Sequence, residues 1–256
     1  MILTPDWPVP NNIAAFVSTR QGGVSIEPYD GLNLAMHVGD TEHDVQQNRQ
    51  ILSERLYDLH AQKPEFQWLH QVHGFHCAVI EQAVDVIEAD AVYTRTPGLV
   101  CAVLTADCLP VLIASKNGRE IAAVHAGWRG LINGVIESAL KHFQAPASEL
   151  LAFIGPAISH QHFQIGDEVA QPFAYFLGCS GLSSRLNQLL KPDLEHAGRY
   201  YFDLPGCCRY YLQSMGVSDV YGTDICSFAD DKRCYSYRRQ GDCGRMATGL
   251  WIKNSC

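Results

Sequence analysis

Between residues 66 and 126 the sequence falls into five short apolar runs, FQWLHQV, HCAVI, LVCAVL, PVLIAS and EIAAVH, each bounded by Gly, Pro, Asp or Asn. Runs this short, rich in β-branched and aliphatic residues and punctuated by turn formers, predict successive β-strands. The middle of the chain must therefore build sheet, and the remaining segments must cover it. Ile13 to Ser18 is also strand-like and runs into Thr19-Arg20-Gln21-Gly22-Gly23, where paired glycines permit a turn with positive φ. LLAFIG at 150–155 reads as another buried strand, stopped by Gly155-Pro156, and further strands are expected near 218–223 and 234–252.

Helices alternate with these runs. Thr41 is followed three residues later by Asp44, and Val45, Leu52, Leu56 and Leu59 approximate helical spacing, which predicts a capped amphipathic helix. After Gly127-Trp128-Arg129-Gly130 the apolar positions Leu131, Ile132, Val135, Ile136, Ala139 and Leu140 recur at helical spacing, predicting a strand–turn–helix unit. No repeat and no linker rich in Pro, Gly or Ser divides the chain. The expectation is one domain over residues 1–256, of α+β or mixed α/β class.

Composition narrows the function classes. Apolar residues make up 47% and charged residues 18%, the balance of a globular protein rather than a disordered one. A net charge of −8 argues against a nucleic-acid binder, which would concentrate Lys and Arg against phosphates. The start, MILTPDWPVPNN, lacks a basic segment followed by an apolar one, and no apolar run approaches the roughly 20 residues of a membrane helix. A soluble, unexported, cytoplasmic protein is expected, without membrane contact and monomeric by default. The ten cysteines contain no C-x-x-C pair, so reduced thiols serving mostly as small core residues are expected.

Three strand ends carry polar residues where apolar runs stop: Gln71-Val72-His73-Gly74, Thr105-Ala106-Asp107-Cys108 and Val124-His125-Ala126-Gly127-Trp128. His73, Cys108 and His125 offer two imidazoles and a thiolate, ligands suited to zinc, and three protein ligands leave a fourth tetrahedral position open for catalysis. The alternative from the residues alone is two core histidines and a buried thiol. His160-Gln161-His162 forms a lone H-x-H, and His70, His73 and His76 recur every third residue, but a blue-copper centre also needs an axial methionine that the pattern does not supply, so copper ranks below zinc. Arg20, Arg129 and Arg238 stand beside Gly or aromatic residues. A guanidinium there can grip phosphate or carboxylate, or simply be a solvated surface charge.

STRQGGVS at 18–25, LNLAMHVGD at 32–40, NR at 48–49, WLHQVHG at 68–74, TADCLPVL at 105–112, AAVHAGWRG at 122–130, IGPAIS at 154–159 and YSYRRQGDCGRMATGLW at 235–251 together resemble the YfiH-like purine nucleoside phosphorylases, also described as multicopper polyphenol oxidases or laccase-domain proteins. The resemblance implies a mixed α/β sandwich related to a toxin's cysteine-dependent deamidase domain. It places the family's zinc motif on His73, Cys108 and His125. It implies phosphorolysis of adenosine, inosine, guanosine and methylthioadenosine, with adenosine deamination as a second reaction. Asp107 is then the candidate proton handler, and Arg20, Asn33, Gln71, Arg129 and Arg238 the candidate contacts for nucleoside and phosphate. Competing readings use the same residues: a cysteine hydrolase with Cys108 as nucleophile, peptidoglycan-precursor editing, a polyphenol oxidase, or an interaction protein holding a structural zinc.

Overall fold

The computed structural model describes residues 2–62 and 65–254. Two sheets lie face to face, with helices over both outer surfaces. One sheet has five strands in the order Ile2–Leu3, Ile13–Ser18, Met246–Ile252, Leu99–Thr105 and Glu65–Gln67. The other has six, in the order Asp219–Gly222, Leu150–Ile154, Leu109–Ser115, Ile121–Ala126, Ala91–Thr94 and Cys77–Ile80. The central pairs are antiparallel, and parallel pairs occur at the edges, where Glu65–Gln67 joins Leu99–Cys101 and Cys77–Ile80 joins Ala91–Thr94. This is the expected mixed α/β class.

The period of two along each strand sorts its side chains into layers. Ile13, Ala15 and Val17 meet Cys101, Val103, Leu250, Leu112, Ala114, Ile121 and Ala123 in the interior between the sheets. Their neighbours Phe16, Val100, Ala102, Leu104 and Trp251 point outward onto Leu52 and Leu56 of the helix Glu42–His60. Across the molecule Val111, Ile113, Ala122 and Val124 face Ile136, Phe173, Leu177 and Leu212, from the helices Val135–Leu140, Asp167–Cys179 and Leu204–Ser214. A sheet covered on both faces reads as a near-continuous apolar run, which is why the 99–126 segment shows little alternation in its sequence.

The helix after Thr41 starts as expected, with the Thr41 hydroxyl accepting the Asp44 N–H at 3.2 Å. Its buried face is Val45, Asn48, Leu52 and Leu56, while Leu59 is exposed, so the predicted apolar stripe ends a turn early. Three other expectations need correction. The 66–72 run is not one strand: Glu65–Gln67 pairs with Leu99–Cys101, and Leu69–His70 leaves that sheet to pair with Ile87–Glu88. The 131–140 helix is two short ones, Trp128–Ile132 and Val135–Leu140, because Gly134 between them has φ of +91°, a left-handed turn that interrupts the ladder. The 234–252 segment is strand only from Met246; before it, Ser236 caps a short helix, Tyr237–Gln240, by accepting the Arg239 N–H. The nine described cysteines are free, as expected, and most are buried.

Candidate metal centre

Strand register brings two of the three candidate ligands together. His125 pairs with Pro110 and Ala126 with Leu109 across the antiparallel strands, and Cys108 immediately precedes Leu109. Cys108 also closes the short crossover from Leu99–Thr105 in one sheet to Leu109–Ser115 in the other, so it sits at the end of the sandwich. His73 arrives on the loop after Leu69–His70. The three ligand atoms lie within 4.8 Å of one another, with Cys108 Sγ 3.8 Å from His73 Nε2 and the imidazole rings edge to face. A tetrahedral zinc site with Zn–S near 2.3 Å and Zn–N near 2.0–2.1 Å has S···N edges of about 3.6 Å, close to the Cys108–His73 separation.

Asp90, which the sequence pattern did not single out, organises the trio. It is fully buried just before the strand Ala91–Thr94, itself missed in the apolar pattern. Its carboxylate accepts the backbone N–H groups of Val72, His73 and Gly74 at 3.2, 3.0 and 2.7 Å, fixing the loop that carries His73. The same carboxylate lies 2.7 Å from His125 Nδ1, and its backbone carbonyl accepts the His125 N–H. With Nδ1–H donated to Asp90, the lone pair of Nε2 turns towards Cys108, the carboxylate–histidine arrangement that orients metal-binding imidazoles. The only sequence clue is an Asp flanked by Ala89 and Ala91 in an apolar stretch.

Charge follows from this geometry. Burial alone would raise the Cys108 thiol, but His125 and His73 outweigh it and bring its pKa down to about 6. Burial likewise opposes a charged His125, but the neighbouring Cys108 and Asp90 win and raise it to about 9. Asp90 is pushed up by burial and held below the usual carboxylate range by His125 and the Gly74 and Val72 amides. Cys108 and His125 therefore each favour the charged form of the other, and a cation held by the trio would compete with a proton on His125 Nε2.

Gly127 supplies the space. A Cβ there would stand 2.9 Å from His73 Cδ2 and 3.1 Å from Cys108 Sγ, although its φ of −61° and ψ of 163° suit any residue. His73 and Asp107 are, by contrast, non-glycine residues at φ of 58° and 90°. Positive φ at side-chain-bearing residues costs energy that the surrounding structure must offset, and it concentrates at sites.

The trio opens into a cleft of about 410 Å³ lined also by His37, Gln71, Asp107, Phe163, Tyr237, Arg238 and Arg245. Asp107 accepts from the Ser227 hydroxyl at 2.6 Å and from the Arg238 N–H at 2.7 Å. Arg238 donates to the Gln164 carbonyl at 2.8 Å. Gln71 exchanges both amide bonds with the backbone of Leu104, so it anchors the His73 loop to the neighbouring strand. The other candidates lie outside the cleft lining. Arg20 is paired with Asp30 at 2.6 Å, buried Asn33 is spent on Ala35, Asp40 and the Arg245 N–H, and exposed Arg129 lies over Trp128. His162 of the H-x-H contacts Ser159 and Cys226 and is not one of the trio. Phe163, Tyr237, His37 and Arg245 had no role at the sequence level, although all but Phe163 fall inside motifs quoted above.

Residues 14–253 match the family model described as multi-copper polyphenol oxidoreductase laccase. Over 98% of this chain and 99% of the relative, it is 40% identical to a Haemophilus influenzae protein named purine nucleoside phosphorylase. It is 38% identical to purine nucleoside phosphorylase YfiH of Escherichia coli over 98% of each. The chain belongs to the YfiH-like family. Its fold is also that of a solved Neisseria meningitidis structure, with a TM-score of 0.89 and 35% identity over 99% of both chains. YlmD of Geobacillus stearothermophilus superposes on this YfiH-like chain with a TM-score of 0.80 at 26% identity, covering 97% of this chain and 94% of that one. Among the described residues, no helix of this YfiH-like protein is long and apolar enough to cross a membrane.

Proposed function

We propose that this YfiH-like protein is a zinc-dependent purine nucleoside phosphorylase acting on adenosine, inosine, guanosine and methylthioadenosine, with adenosine deamination as a second reaction. The observation that carries the reading is a His₂Cys donor set that leaves one position open towards a cleft of ligand size. Relatives named purine nucleoside phosphorylase, aligned over nearly their full length, support it. The same two imidazoles and thiolate occur in blue-copper sites, but those add a weak axial methionine, and no methionine lines this cleft, which favours zinc. Free thiols throughout the described chain suit a cytoplasmic setting.

Zinc bound there would supply Lewis acidity and a lowered pKa to a group at the open position. The protein's own part is to bind and orient. Phe163 and Tyr237 give the cleft aromatic walls against which a purine can stack, and Arg238 lies beside Phe163 with its guanidinium 5.5 Å from the ring centroid. In phosphorolysis a phosphate oxygen forms a bond to C1′ while the C1′–N9 electron pair leaves with the base, which takes up a proton. Asp107, lining the cleft beside Cys108, is the candidate proton handler for the second reaction, attack of water on C6 of adenosine.

A cysteine-hydrolase reading has one observation in its favour, the depressed Cys108 thiol next to a charged His125. Chromatography of purified, zinc-loaded protein incubated with adenosine, with and without phosphate, separates the readings. Adenine and ribose 1-phosphate that need both phosphate and an intact His125, lost in His125→Ala, are expected, with inosine marking deamination. Zinc retained with neither product formed would overturn the nucleoside reading, and a trapped acyl-enzyme on Cys108 would replace it with hydrolase chemistry.

A further inference from the structure

We propose that His37 and Arg245 form an oxyanion subsite on the metal cleft, with Arg49 adding positive charge nearby, and that the anion it takes is inorganic phosphate. The identity of the ligand rests on the phosphorolysis reading; the subsite itself rests on the His37 and Arg245 side chains in the cleft lining. None of the three was assigned a role by the sequence patterns or by the geometry of the metal trio.

The three are held around one backbone position. Arg49, from the helix Glu42–His60, donates its Nε–H to the Leu34 carbonyl at 3.0 Å, and its guanidinium lies 4.0 Å from the Trp68 ring centroid. The Leu34 N–H in turn donates to the Arg245 carbonyl at 3.3 Å, and three residues later the same loop carries His37. The loop is fixed to the helix by buried Asn48, whose side chain bonds Val24, Ser25, Gly31 and Asn33. His37 and Arg245 line the cleft together with His73, Cys108 and His125.

These cations have no acidic partner. Among the described residues neither Arg49 nor Arg245 forms an ion pair, as holds for every arginine except Arg20 and Arg233. Arg245 spends one guanidinium nitrogen on the carbonyls of Cys243 and Gly244. The surroundings confirm the imbalance. Burial lowers the Arg49 guanidinium to about 10 with no carboxylate pulling it back up. His37 is depressed first by burial and then by Arg245, His70, Arg49 and His125, which are all positive when charged. The one carboxylate in the cleft lining, Asp107, is already bonded to Ser227 and to the Arg238 N–H, so an anion entering the cleft meets positive groups that no ion pair neutralises. Guanidinium groups match the paired oxygens of a tetrahedral oxyanion, and an imidazole adds a third donor.

Isothermal titration of the zinc-loaded protein with inorganic phosphate, without nucleoside, tests the subsite apart from turnover. Arg245→Met and His37→Asn are each expected to weaken phosphate binding at least tenfold, as loss of a charge-assisted hydrogen bond does. In the phosphorolysis assay the KM for phosphate should rise by a similar factor, with the KM for adenosine within about twofold of the parent, as expected when one ligand's contact is removed. Arg119→Gln, exposed in the turn at the other end of the Leu109–Ser115 strand, is the control and should change neither. His37→Asn keeps the test open if Arg245→Met unfolds, since the His37 ring caps no backbone group. Phosphate binding that is absent in the parent, or unchanged in the folded variants, overturns the subsite whether or not phosphorolysis occurs. Weakened phosphate binding in the variants upholds it even if no phosphorolysis is found, in which case the functional reading falls alone. Loss of affinity for adenosine 5′-monophosphate but not for free phosphate would place a substrate phosphoryl group there and overturn the assignment to inorganic phosphate.

Discussion

Replacing Gly127 by alanine should separate metal loading from folding. The backbone at 127 is extended, at φ −61° and ψ 163°, so alanine adopts it without strain. Removing a glycine from the unfolded ensemble then favours the folded state by about 0.4–1 kcal/mol. The new Cβ, however, would lie 2.9 Å from His73 Cδ2 and 3.1 Å from Cys108 Sγ. Carbon atoms settle at about 3.5 Å or more, so the His73 ring must retreat by roughly 0.6 Å. Metal–ligand distances tolerate only about ±0.2 Å. The displacement exceeds that tolerance for one ligand and crowds a second, so the loss should reach at least the 10–100-fold in metal affinity that follows removal of a supporting shell. That is about 1.4–2.7 kcal/mol. Competition between the protein and a chelator of known affinity measures the first quantity, and thermal unfolding of the metal-free protein the second. Parental zinc affinity in Gly127→Ala would refute the steric argument.

Three further outcomes follow from the same geometry. Asp90→Asn leaves an amide where four donors converge; zinc affinity should drop about 10–100-fold, and the metal-free protein should lose about 3 kcal/mol or more, because hydrogen bonds to a charged acceptor contribute about 1.5–3 kcal/mol each. A denaturant melt that matches the parent would contradict the organising role given to Asp90. In the metal-free protein the Cys108 pKa is depressed to about 6, so its alkylation by iodoacetamide should rise with pH through about 6 and then level off. The buried thiols Cys77 and Cys208, pushed up to about 12, should stay unreactive over the same range, and bound zinc should protect Cys108. A reactivity profile still climbing near pH 9 would remove the thiolate–imidazolium pair. Asn48→Ala deletes a buried side chain with four hydrogen-bond partners and should cost about 3 kcal/mol. For a chain of this size that is a fall of roughly 6–12 °C in melting temperature, and a calorimetric shift under about 2 °C would show that the loop does not depend on it.

The strand series of the 66–126 segment was legible because buried strands are short, apolar and bounded by turn residues, and most of its members are present as read. The 66–72 run failed because one apolar stretch serves two sheets, a change of partner that periodicity does not record. The 131–140 helix failed at Gly134, whose φ is set by tertiary packing rather than by the apolar pattern around it. Among site residues, His73, Cys108 and His125 announce themselves by ligand chemistry, and the structure brings all three together. Asp90 does not, since a single carboxylate in an alanine-rich run gains meaning only once strand pairing sets it opposite His125. Arg20, Asn33 and Arg129 were marked by motif membership alone, and their side chains engage Asp30, Asp40 and Trp128.

Asp90 also bears on when a metal can arrive. Its carboxylate secures the Val72–Gly74 backbone through bonds that involve no ion, and Gln71 ties the same stretch to Leu104. The loop therefore has little conformational freedom left to lose on loading, unlike a zinc finger, where the ion must organise an unfolded chain. Metal acquisition then becomes a late, exchangeable step governed by which cations compete for a rigid His₂Cys seat, so the metal content of a purified sample should track the medium it was grown in rather than the yield of folded protein.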